Sequence, residues 1–373
     1  MTRTLSTTEN PLRQILKFGQ SIWYDGLISK KEFEKMIAED GLRGATTNPT
    51  ILEKAISGGA YDSEITDFAK KHSTEEIYKA LAVRAVQEVA DVFLPVYRET
   101  EGQDGFVSIE VSPLLAYDTD RTIHEARELY RLVDRKNVMI KIPATREGIP
   151  AIEKVIAEGI NVNITLIFSV QRYREVMSAY ASGLEKRQKE SKPISEIASV
   201  ASFFVSRVDT VVDKLIEEKL QSSKYASRTE TLKSLLGKAA ISNSKLAYKE
   251  FGNFFSSFRF RRLKEKGAKL QRPLWASTGT KNPAYSDVFY VEALIGESTI
   301  NTMPPATLDA FRHHGVAAPR LTQGIEEASQ LLKELHTTGI DLAAVTERLE
   351  ADGVKLFSDS YLKLIQCIES KKQ

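Results

Sequence analysis

The feature that most constrains the fold of this chain is a repeat of short apolar or β-branched segments, each followed by a stretch with helical periodicity. We count eight such segments, at residues 21–25, 44–48, 106–111, 138–143, 162–168, 200–208, 273–278 and 299–303. Strands that alternate with helices form parallel sheets, because each helix returns the chain to the end of the sheet where the next strand starts. The repeat therefore predicts an α/β fold.

Two parallel-sheet folds fit this repeat, a closed (β/α)8 TIM barrel and an open doubly wound sheet. A barrel of about 250 residues with insertions suits a chain of 373 residues. The glycine-rich motifs G-x-G-x-x-G and G-x-x-x-x-G-K-[ST], typical of nucleotide-binding open sheets, are absent from the sequence. We therefore predict a TIM barrel with additional helices, forming a single domain over residues 1–373. Its helical elaborations are expected at about 209–270 and 306–373.

Charge and cysteine content restrict the partners and the compartment. Lys and Arg number 52 and Asp and Glu 50, so the net charge is only +2. This balance gives no overall attraction to nucleic acid or to an anionic membrane, and we expect a small-molecule partner instead. The single cysteine, Cys367, excludes an intrachain disulfide and fits a reducing compartment.

Hydropathy gives the same expectation about compartment. The polar amino terminus lacks the apolar stretch of about 7 to 15 residues found in secretory signals. No segment approaches the roughly 18 apolar residues of a membrane span. We expect a cytoplasmic protein, and the sequence leaves monomer and homodimer equally open.

Two features that could indicate other functions have simpler interpretations. The basic run FRFRRLKEKGAK at residues 258–269 could contact nucleic acid, but a solvated helix face is the favoured reading. His313 and His314 are adjacent, so on a helix they point about 100° apart. No third ligand is spaced to complete a zinc site with them. We predict no metal site.

Polar residues lie inside strands that a parallel sheet buries on both faces. Burying an unpaired polar group costs roughly 1 to 3 kcal/mol, so each such residue needs a reason. They occur two apart, and hence on one face of a strand. The pairs are Thr46 with Asn48, Ser108 with Glu110, and Asn163 with Thr165.

Lys141 is the most unusual of these residues, because it lies between Ile140 and Ile142 in an apolar strand. Desolvation favours the neutral amine and lowers the pKa of a lysine, which makes it a nucleophile toward carbonyl carbon. The alternatives are the end of an exposed edge strand or a structural ion pair with Glu110. A barrel would direct Lys141 and the polar pairs toward one cavity at the carboxyl ends of the strands, which favours a catalytic role.

Five motifs in series resemble the transaldolases, and the longer bacterial subfamily in particular. They are TTNP at residues 46–49, SIEV at 108–111, IKIPA at 140–144, NITLIFS at 163–169 and SFFVSR at 202–207, with WASTGTKNPAYSD following at 275–287. Their order and spacing match the family over residues from about 10 to 310. The resemblance implies a TIM barrel and an enzyme of the pentose phosphate pathway.

The implied reaction moves a dihydroxyacetone unit from sedoheptulose 7-phosphate to glyceraldehyde 3-phosphate, giving erythrose 4-phosphate and fructose 6-phosphate. By resemblance, Lys141 forms a Schiff base with the ketose. The iminium withdraws electrons as a metal would, so no metal and no cofactor is implied.

The resemblance also assigns roles to other residues. Asp25 would exchange the proton of the C4 hydroxyl, although an Asp before Gly26 is also typical of a turn. Glu110 and Thr165 would hold a water that shuttles protons beside Lys141. The hydroxyls of the dihydroxyacetone unit would be bound by Asn48, Asn163 and Thr46. Asparagine often bonds neighbouring backbone instead, and that alternative stays open.

The distal phosphate would be bound by Arg207 through forked, charge-assisted hydrogen bonds and by Ser202 through its hydroxyl. On the seventh strand the sequence departs from better-known transaldolases. They place an arginine after a Ser-Phe pair, where this chain has Ala276 and Ser277 followed by Thr-Gly-Thr-Lys. We expect Ser277 and Lys281 to take over those phosphate contacts.

Two other functions stay open at this point. A simple class I aldolase acting on fructose 6-phosphate or a related sugar phosphate would share the lysine chemistry, although such enzymes are typically shorter. A non-catalytic sugar-phosphate-binding barrel would not need both Lys141 and Glu110.

Overall fold

The computed structural model describes residues 10–59, 61–222 and 226–372, and eight of its strands close into one parallel barrel. Each strand pairs with the next along the chain, and the last pairs with the first. The strands are β1 Gln20–Asp25, β2 Gly44–Thr46, β3 Phe106–Glu110, β4 Val138–Pro143, β5 Val162–Ile167, β6 Ser199–Phe204, β7 Arg272–Ala276 and β8 Thr299–Met303. The predicted TIM barrel is confirmed, and the open sheet is excluded.

Five strands end earlier than predicted, and in β2, β6 and β7 the difference places a site residue, Asn48, Arg207 or Ser277, beyond the end of the strand. We expected Arg207 within a strand at 200–208, but β6 ends at Phe204 and Ser206 begins a helix. Asn48 was expected on β2, where it would share a strand face with Thr46. It instead caps the next helix, accepting a hydrogen bond from Ile51 N–H at 3.0 Å. Such an asparagine before a proline is a strong helix start.

Helices follow every strand, and several more lie in the predicted elaborations. They are α1 Pro11–Lys17, α2 Lys30–Asp40, α3 Pro49–Ser57, α4 Asp62–Ala69, α5 Thr74–Glu99, α6 Thr119–Val133, α7 Gly148–Glu158, α8 Val170–Lys189, α9 Ser206–Ser222, α10 Ala226–Leu235, α11 Ala239–Phe255, α12 Phe258–Lys264, α13 Phe289–Ala293, α14 Pro305–His314, α15 Ile325–Thr337 and α16 Leu342–Lys371, with a 3-10 turn at Pro113–Leu115. Residues 1–9, 60, 223–225 and 373 of the predicted domain lie outside the described residues.

Local sequence signals explain where several helices begin. A capping box begins α5, with Ser73 and Glu76 each accepting a hydrogen bond from the other's backbone N–H. The first part of the basic run forms α12, which buries Phe260 and Leu263 and exposes Arg261, Arg262 and Lys264. Among the described helices, none combines the length and apolar character needed to cross a membrane.

The last helix, α16, runs over the barrel and packs on α3, α5, α9 and β5. Its contact with β5 depends on a bulge, where the register with β6 shifts between Ile164 and Ile167. Leu166 in this bulge has φ of 59°, which is costly for a residue with a Cβ. Its side chain packs on Gly353 of α16, where an added Cβ would lie 2.9 Å from Leu166 Cδ2. This close packing holds α16 over the carboxyl ends of the strands.

Candidate active site

A cavity of about 160 Å3 opens at the carboxyl ends of the strands, the position where TIM barrels carry their active sites. Every strand except β3 supplies part of its wall directly or through the residues that follow it, and α16 contributes one side chain. The cavity is lined by Asp25, Thr46, Asn48, Lys141, Thr165, Ser202, Phe204, Arg207, Ala276, Ser277, Gly279, Lys281, Thr302, Pro304 and Phe357. Nine of these are residues that the sequence nominated.

Lys141 lies on β4, next to Glu110 of β3 in the sheet register. Its Nζ donates to Glu110 Oε2 at 3.0 Å and to the carbonyl oxygen of Thr47 at 3.2 Å. The two charged side chains are only 6% and 4% exposed. The ring of Phe357 lies 5.4 Å from Nζ. The amine is thus enclosed by one carboxylate, one carbonyl and one aromatic ring.

Glu110 is not part of the cavity lining, and it contacts the cavity through Lys141, from which it accepts a hydrogen bond. Burial raises the pKa of Glu110, and the attraction of Lys141 opposes this effect. A carboxylate whose pKa is raised accepts a proton more readily, so the pair can pass one proton from ammonium to carboxylate. The ion pair that we considered as a structural alternative is therefore present, and it also has the geometry of an acid-base pair.

Asp25 ends β1 and faces the cavity across from Lys141. Thr46 Oγ1 donates to Asp25 Oδ1 at 2.8 Å, and Thr46 is itself 2.7 Å from the hydroxyl of Thr302. Burial raises the pKa of Asp25, while Lys141 and the hydrogen bond from Thr46 act against it. A carboxyl group with a raised pKa is suited both to take and to return a proton.

Thr165 lies on β5 just before the bulge at Leu166. Its hydroxyl is buried and has no hydrogen-bond partner among the described residues. A buried hydroxyl without a partner is costly, and this one lines the cavity. It can therefore bond to a water or a ligand held there.

The two asparagines occupy different depths. Asn48 uses its Oδ1 to cap α3, which leaves its amide NH2 to face the cavity. Asn163 lies behind the cavity wall, where its Nδ2 donates to Ser108 at 2.9 Å and its Oδ1 accepts from Ser202 at 2.7 Å. The structure does not bring Asn163 to the surface of the cavity, although it orients Ser202, which is there.

Two further cations, Arg207 and Lys281, line the cavity from the segments that follow β6 and β7. Arg207 is in the first turn of α9, with its guanidinium 5.3 Å from the ring of Phe204. Burial lowers its pKa from the ordinary arginine value, and no described residue forms an ion pair or hydrogen bond with it. Lys281 lies across from it on an exposed loop. A partly buried guanidinium without a counterion is suited to binding an anion.

Ser277 directly follows β7 and forms hydrogen bonds with the first residue of α9, the helix that carries Arg207. Its backbone has φ of 55°, and its carbonyl accepts from Ser206 N–H at 3.0 Å. The hydroxyls of Ser277 and Ser206 are also 3.0 Å apart. These contacts fix the end of β7 against the start of α9.

Six of the lining residues were not nominated from the sequence, and among them are Thr302 and Phe357, which contact nominated side chains. Thr302 is a polar residue inside a predicted strand, so the rule that identified the other polar residues could have found it. Phe357 belongs to α16 and has no distinctive sequence signal, because an aromatic residue in an amphipathic helix is usually part of the core.

The histidines take part in local contacts. His314 Nε2 lies 2.8 Å from Asp287 Oδ1, and His313 Nδ1 lies 2.7 Å from the carbonyl of Asp309. Among the described residues, no group of three or more His, Cys, Asp or Glu side chains could hold a metal ion.

A closed barrel with a buried lysine beside a carboxylate and two further cations lining its cavity defines a barrel enzyme of the class I aldolase type. The family model for transaldolase/fructose-6-phosphate aldolase matches residues 22–368. The chain belongs to this family, and the resemblance seen in its motifs is confirmed.

Curated relatives cover almost the whole chain. A transaldolase of Trichodesmium erythraeum (strain IMS101) is 46% identical over 370 residues, covering 97% of each chain. The transaldolase 2 of Nostoc sp. (strain PCC 7120) is 45% identical over 371 residues, again with 97% of each chain. A transaldolase of Saccharopolyspora erythraea is 44% identical over 372 residues, with 98% of each chain.

Proposed function

We propose that the protein performs the transaldolase reaction through a Schiff base on Lys141. Transaldolase activity itself follows from relatives of that name that match the chain over nearly its full length, and the enzyme is therefore a transferase. The observation that supports Lys141 is its position, since it is a buried amine on the cavity wall whose nearest ionic partner is the buried Glu110.

The first half of the reaction forms the Schiff base. The ammonium of Lys141 gives a proton to Glu110, and the neutral amine attacks the C2 carbonyl carbon of a ketose phosphate such as sedoheptulose 7-phosphate. A carbinolamine results. Glu110 then returns its proton, through a water held by the free hydroxyl of Thr165, to the departing C2 oxygen. Water leaves, and an iminium remains on Lys141.

Cleavage and transfer use Asp25. Its carboxylate takes the proton of the C4 hydroxyl while the C3–C4 bond breaks, and the electron pair of that bond flows into the iminium to give an enamine. Erythrose 4-phosphate leaves. The enamine attacks the aldehyde carbon of glyceraldehyde 3-phosphate, Asp25 returns the proton to the new hydroxyl, and hydrolysis of the iminium releases fructose 6-phosphate.

Substrate binding divides between the two ends of the cavity. The dihydroxyacetone hydroxyls lie within reach of Asn48 and Thr46, and Asn163 acts through Ser202. The phosphate lies between Arg207 and Lys281, with the Ser202 and Ser277 hydroxyls beside it. The iminium is the electron sink, so this route needs no metal and no cofactor.

The setting that we propose is the cytoplasm, with sugar phosphates as the only partners and the enzyme acting as a monomer or homodimer. A net charge of +2 gives no general attraction to nucleic acid or to an anionic membrane surface. The single cysteine supports a reducing compartment.

Borohydride trapping tests the role of Lys141. We expect incubation with fructose 6-phosphate and reduction to leave a dihydroxyacetone-derived mass on the peptide containing Lys141. The Lys141→Met variant should fold, give no adduct and have no detectable turnover. A control is Lys245→Met, because Lys245 is a partly buried lysine whose pKa is lowered by burial and which lies on α11 outside the cavity. An adduct on another lysine, or turnover by Lys141→Met, would refute the proposal.

Transfer and simple cleavage are distinguished by the acceptor. With fructose 6-phosphate as donor, cleavage releases glyceraldehyde 3-phosphate and leaves the dihydroxyacetone unit on Lys141 as an enamine. The acceptor is then erythrose 4-phosphate, which takes up this unit as sedoheptulose 7-phosphate and regenerates the free enzyme. Release of glyceraldehyde 3-phosphate from fructose 6-phosphate should therefore be slow alone and fast when erythrose 4-phosphate is added. Equal turnover without the acceptor would instead indicate a simple aldolase.

A further inference from the structure

Two tyrosines that follow β7 donate hydrogen bonds to two aspartates of α9, outside the cavity. Tyr285 Oη donates to Asp213 Oδ2 at 2.9 Å, and Tyr290 Oη donates to Asp209 Oδ2 at 3.0 Å. Asp209 and Asp213 are one turn apart on α9 and are both buried. Neither pair has a role in the reaction described above, although both connect elements that build the cavity.

The second oxygen of each aspartate accepts a backbone hydrogen bond from the region where α11 begins. Asp213 Oδ1 accepts from Gly237 N–H at 2.9 Å, and Asp209 Oδ1 accepts from Ala240 N–H at 2.7 Å. Each carboxylate therefore has a donor on both oxygens, which is the arrangement that holds a buried carboxylate in one orientation.

The ring of Tyr285 fits against Gly237 as well. Gly237 has φ of 68°, and a Cβ added there would lie 2.7 Å from Tyr285 Cζ. Only glycine allows the ring to approach this closely. Burial and Asp213 raise the pKa of Tyr285, so its hydroxyl keeps the proton that it donates. The packing on Gly237 and the hydrogen bond to Asp213 therefore fix the position of the Tyr285 side chain.

The loop that Tyr285 holds also carries Lys281, four residues earlier. Within this loop the Tyr285 N–H donates to the carbonyl of Asn282 at 3.1 Å, and Thr280 Oγ1 donates to the carbonyl of Ser286 at 2.8 Å. The loop is thus closed by its own hydrogen bonds. Tyr285 attaches it to α9, the helix whose first turn supplies Arg207.

We propose that Tyr285 and Asp213 are a positioning pair that sets the Lys281 loop at the phosphate end of the cavity, at a fixed separation from Arg207. Lys281 is an exposed point charge on a flexible side chain, so the place of its backbone determines whether its ammonium reaches the phosphate. The inference rests on the proposed phosphate role of Lys281.

The test compares a phosphorylated with an unphosphorylated acceptor, glyceraldehyde 3-phosphate with glyceraldehyde, in the Tyr285→Phe variant. This change removes the hydroxyl and keeps the ring against Gly237. We expect KM for glyceraldehyde 3-phosphate to rise about fivefold to tenfold, within the range for losing one typical intramolecular hydrogen bond. The value of kcat and the rate with glyceraldehyde should change less than about twofold. The control Tyr248→Phe loses a comparable bond, to the carbonyl of Glu297 at 3.0 Å, and should leave both acceptors unaffected.

A second comparison separates positioning from general stability. In a Lys281→Ala background, Tyr285→Phe should cause no further rise in KM, because the group that it positions is gone. An additional rise of the same size there would overturn the proposal, as would an unchanged KM for Tyr285→Phe alone.

The same variants distinguish failure of the positioning pair from failure of the proposed function. If Lys281→Ala leaves KM for the phosphorylated acceptor unchanged, Lys281 has no phosphate role and the inference falls with that assignment. If Lys281→Ala raises KM and Tyr285→Phe does not, only the positioning pair is refuted. Borohydride trapping on Lys141 in the Tyr285→Phe variant shows whether the Schiff-base chemistry is intact.

Discussion

In the proposed mechanism, the pairing of Lys141 with Glu110 determines where one proton resides at the start of the reaction. Both side chains are almost fully buried, so two charges lie in a region of low polarity and stabilise each other at 3.0 Å. Removing one partner leaves the other unpaired, which is far more costly than removing both. Moving the proton from the ammonium to Glu110 neutralises both groups at once and produces the nucleophile.

Replacing Glu110 by glutamine tests that proton exchange. Glu110→Gln keeps the shape but cannot carry a proton, so we expect kcat to fall about a hundredfold to a thousandfold, the usual contribution of a general acid, with slow turnover remaining. Because burial raises the pKa of Glu110, its acid form is present below that pKa and is lost as pH rises through it. An alkaline decline in kcat that depends on Glu110 should therefore be absent from the variant.

A matched carboxyl serves as the control for this prediction. Glu125 on α6 is also largely buried with a raised pKa, but it accepts from the backbone N–H of Ser112, whereas Glu110 accepts from Lys141. Glu125→Gln should change kcat less than about twofold. The acid-base role of Glu110 would be contradicted if Glu110→Gln kept more than half of the wild-type kcat, or kept the alkaline decline.

At the scale of elements, the strands were predictable and their ends were only partly so. Strand β4 matches the prediction at both ends, because an apolar strand bounded by turns has a strong signal, and β8 matches as well. The segment 200–208 continues with Val205 and Val208 beyond Phe204, so its apolar pattern does not indicate that β6 stops at Phe204 and that Ser206 begins a helix. The position of Arg207 depends on the contact of Ser206 with Ser277, which lies 71 residues further along the chain.

The long helix α16 could be predicted as a helix but not as part of the site. Its amphipathic pattern says only that one face is buried. Which surface it buries depends on the bulge at Leu166 and on Gly353, two positions far apart in sequence. Phe357 reaches Lys141 because of that tertiary packing.

We predict that Phe357 keeps water away from the enamine. In Phe357→Ala, water should protonate the enamine and hydrolyse the resulting iminium, releasing dihydroxyacetone before an acceptor arrives. We expect dihydroxyacetone release without acceptor to rise at least about fivefold relative to transfer, because exclusion of water is what prevents such side reactions. The measurement uses fructose 6-phosphate as donor and erythrose 4-phosphate as acceptor, and it compares the amount of free dihydroxyacetone with the amount of sedoheptulose 7-phosphate formed by transfer.

Two further variants control for damage to the fold. Leu356→Ala alters the neighbouring residue, which is 46% exposed, and should leave the product ratio unchanged. Phe357→Leu fills most of the space and should give an intermediate ratio. An unchanged ratio in a folded Phe357→Ala protein would show that α16 does not protect the intermediate.

On the scale of the whole molecule, the cavity combines three parts of the chain. The strands supply Asp25, Lys141 and Thr165, the segment from β6 to α9 supplies Arg207, and α16 supplies Phe357. One connected hydrophobic core includes residues from the strands and from both elaborations. We propose on this basis that the chain is one domain that folds as a unit, since a site shared among these parts requires that they pack together.

The two tryptophans allow this proposal to be tested by urea unfolding. Trp23 on β1 and Trp275 on β7 are both fully buried, so tryptophan fluorescence reports the barrel, whereas far-ultraviolet circular dichroism is dominated by the helices. A single domain gives coincident transitions with both probes. Leu364→Ala, which removes a fully buried side chain of α16, should lower the free energy of unfolding by about 2 to 5 kcal/mol and shift both transitions together. A shift confined to circular dichroism would mean that α16 unfolds independently of the barrel, and Phe357 would then cover Lys141 only while the helix is docked.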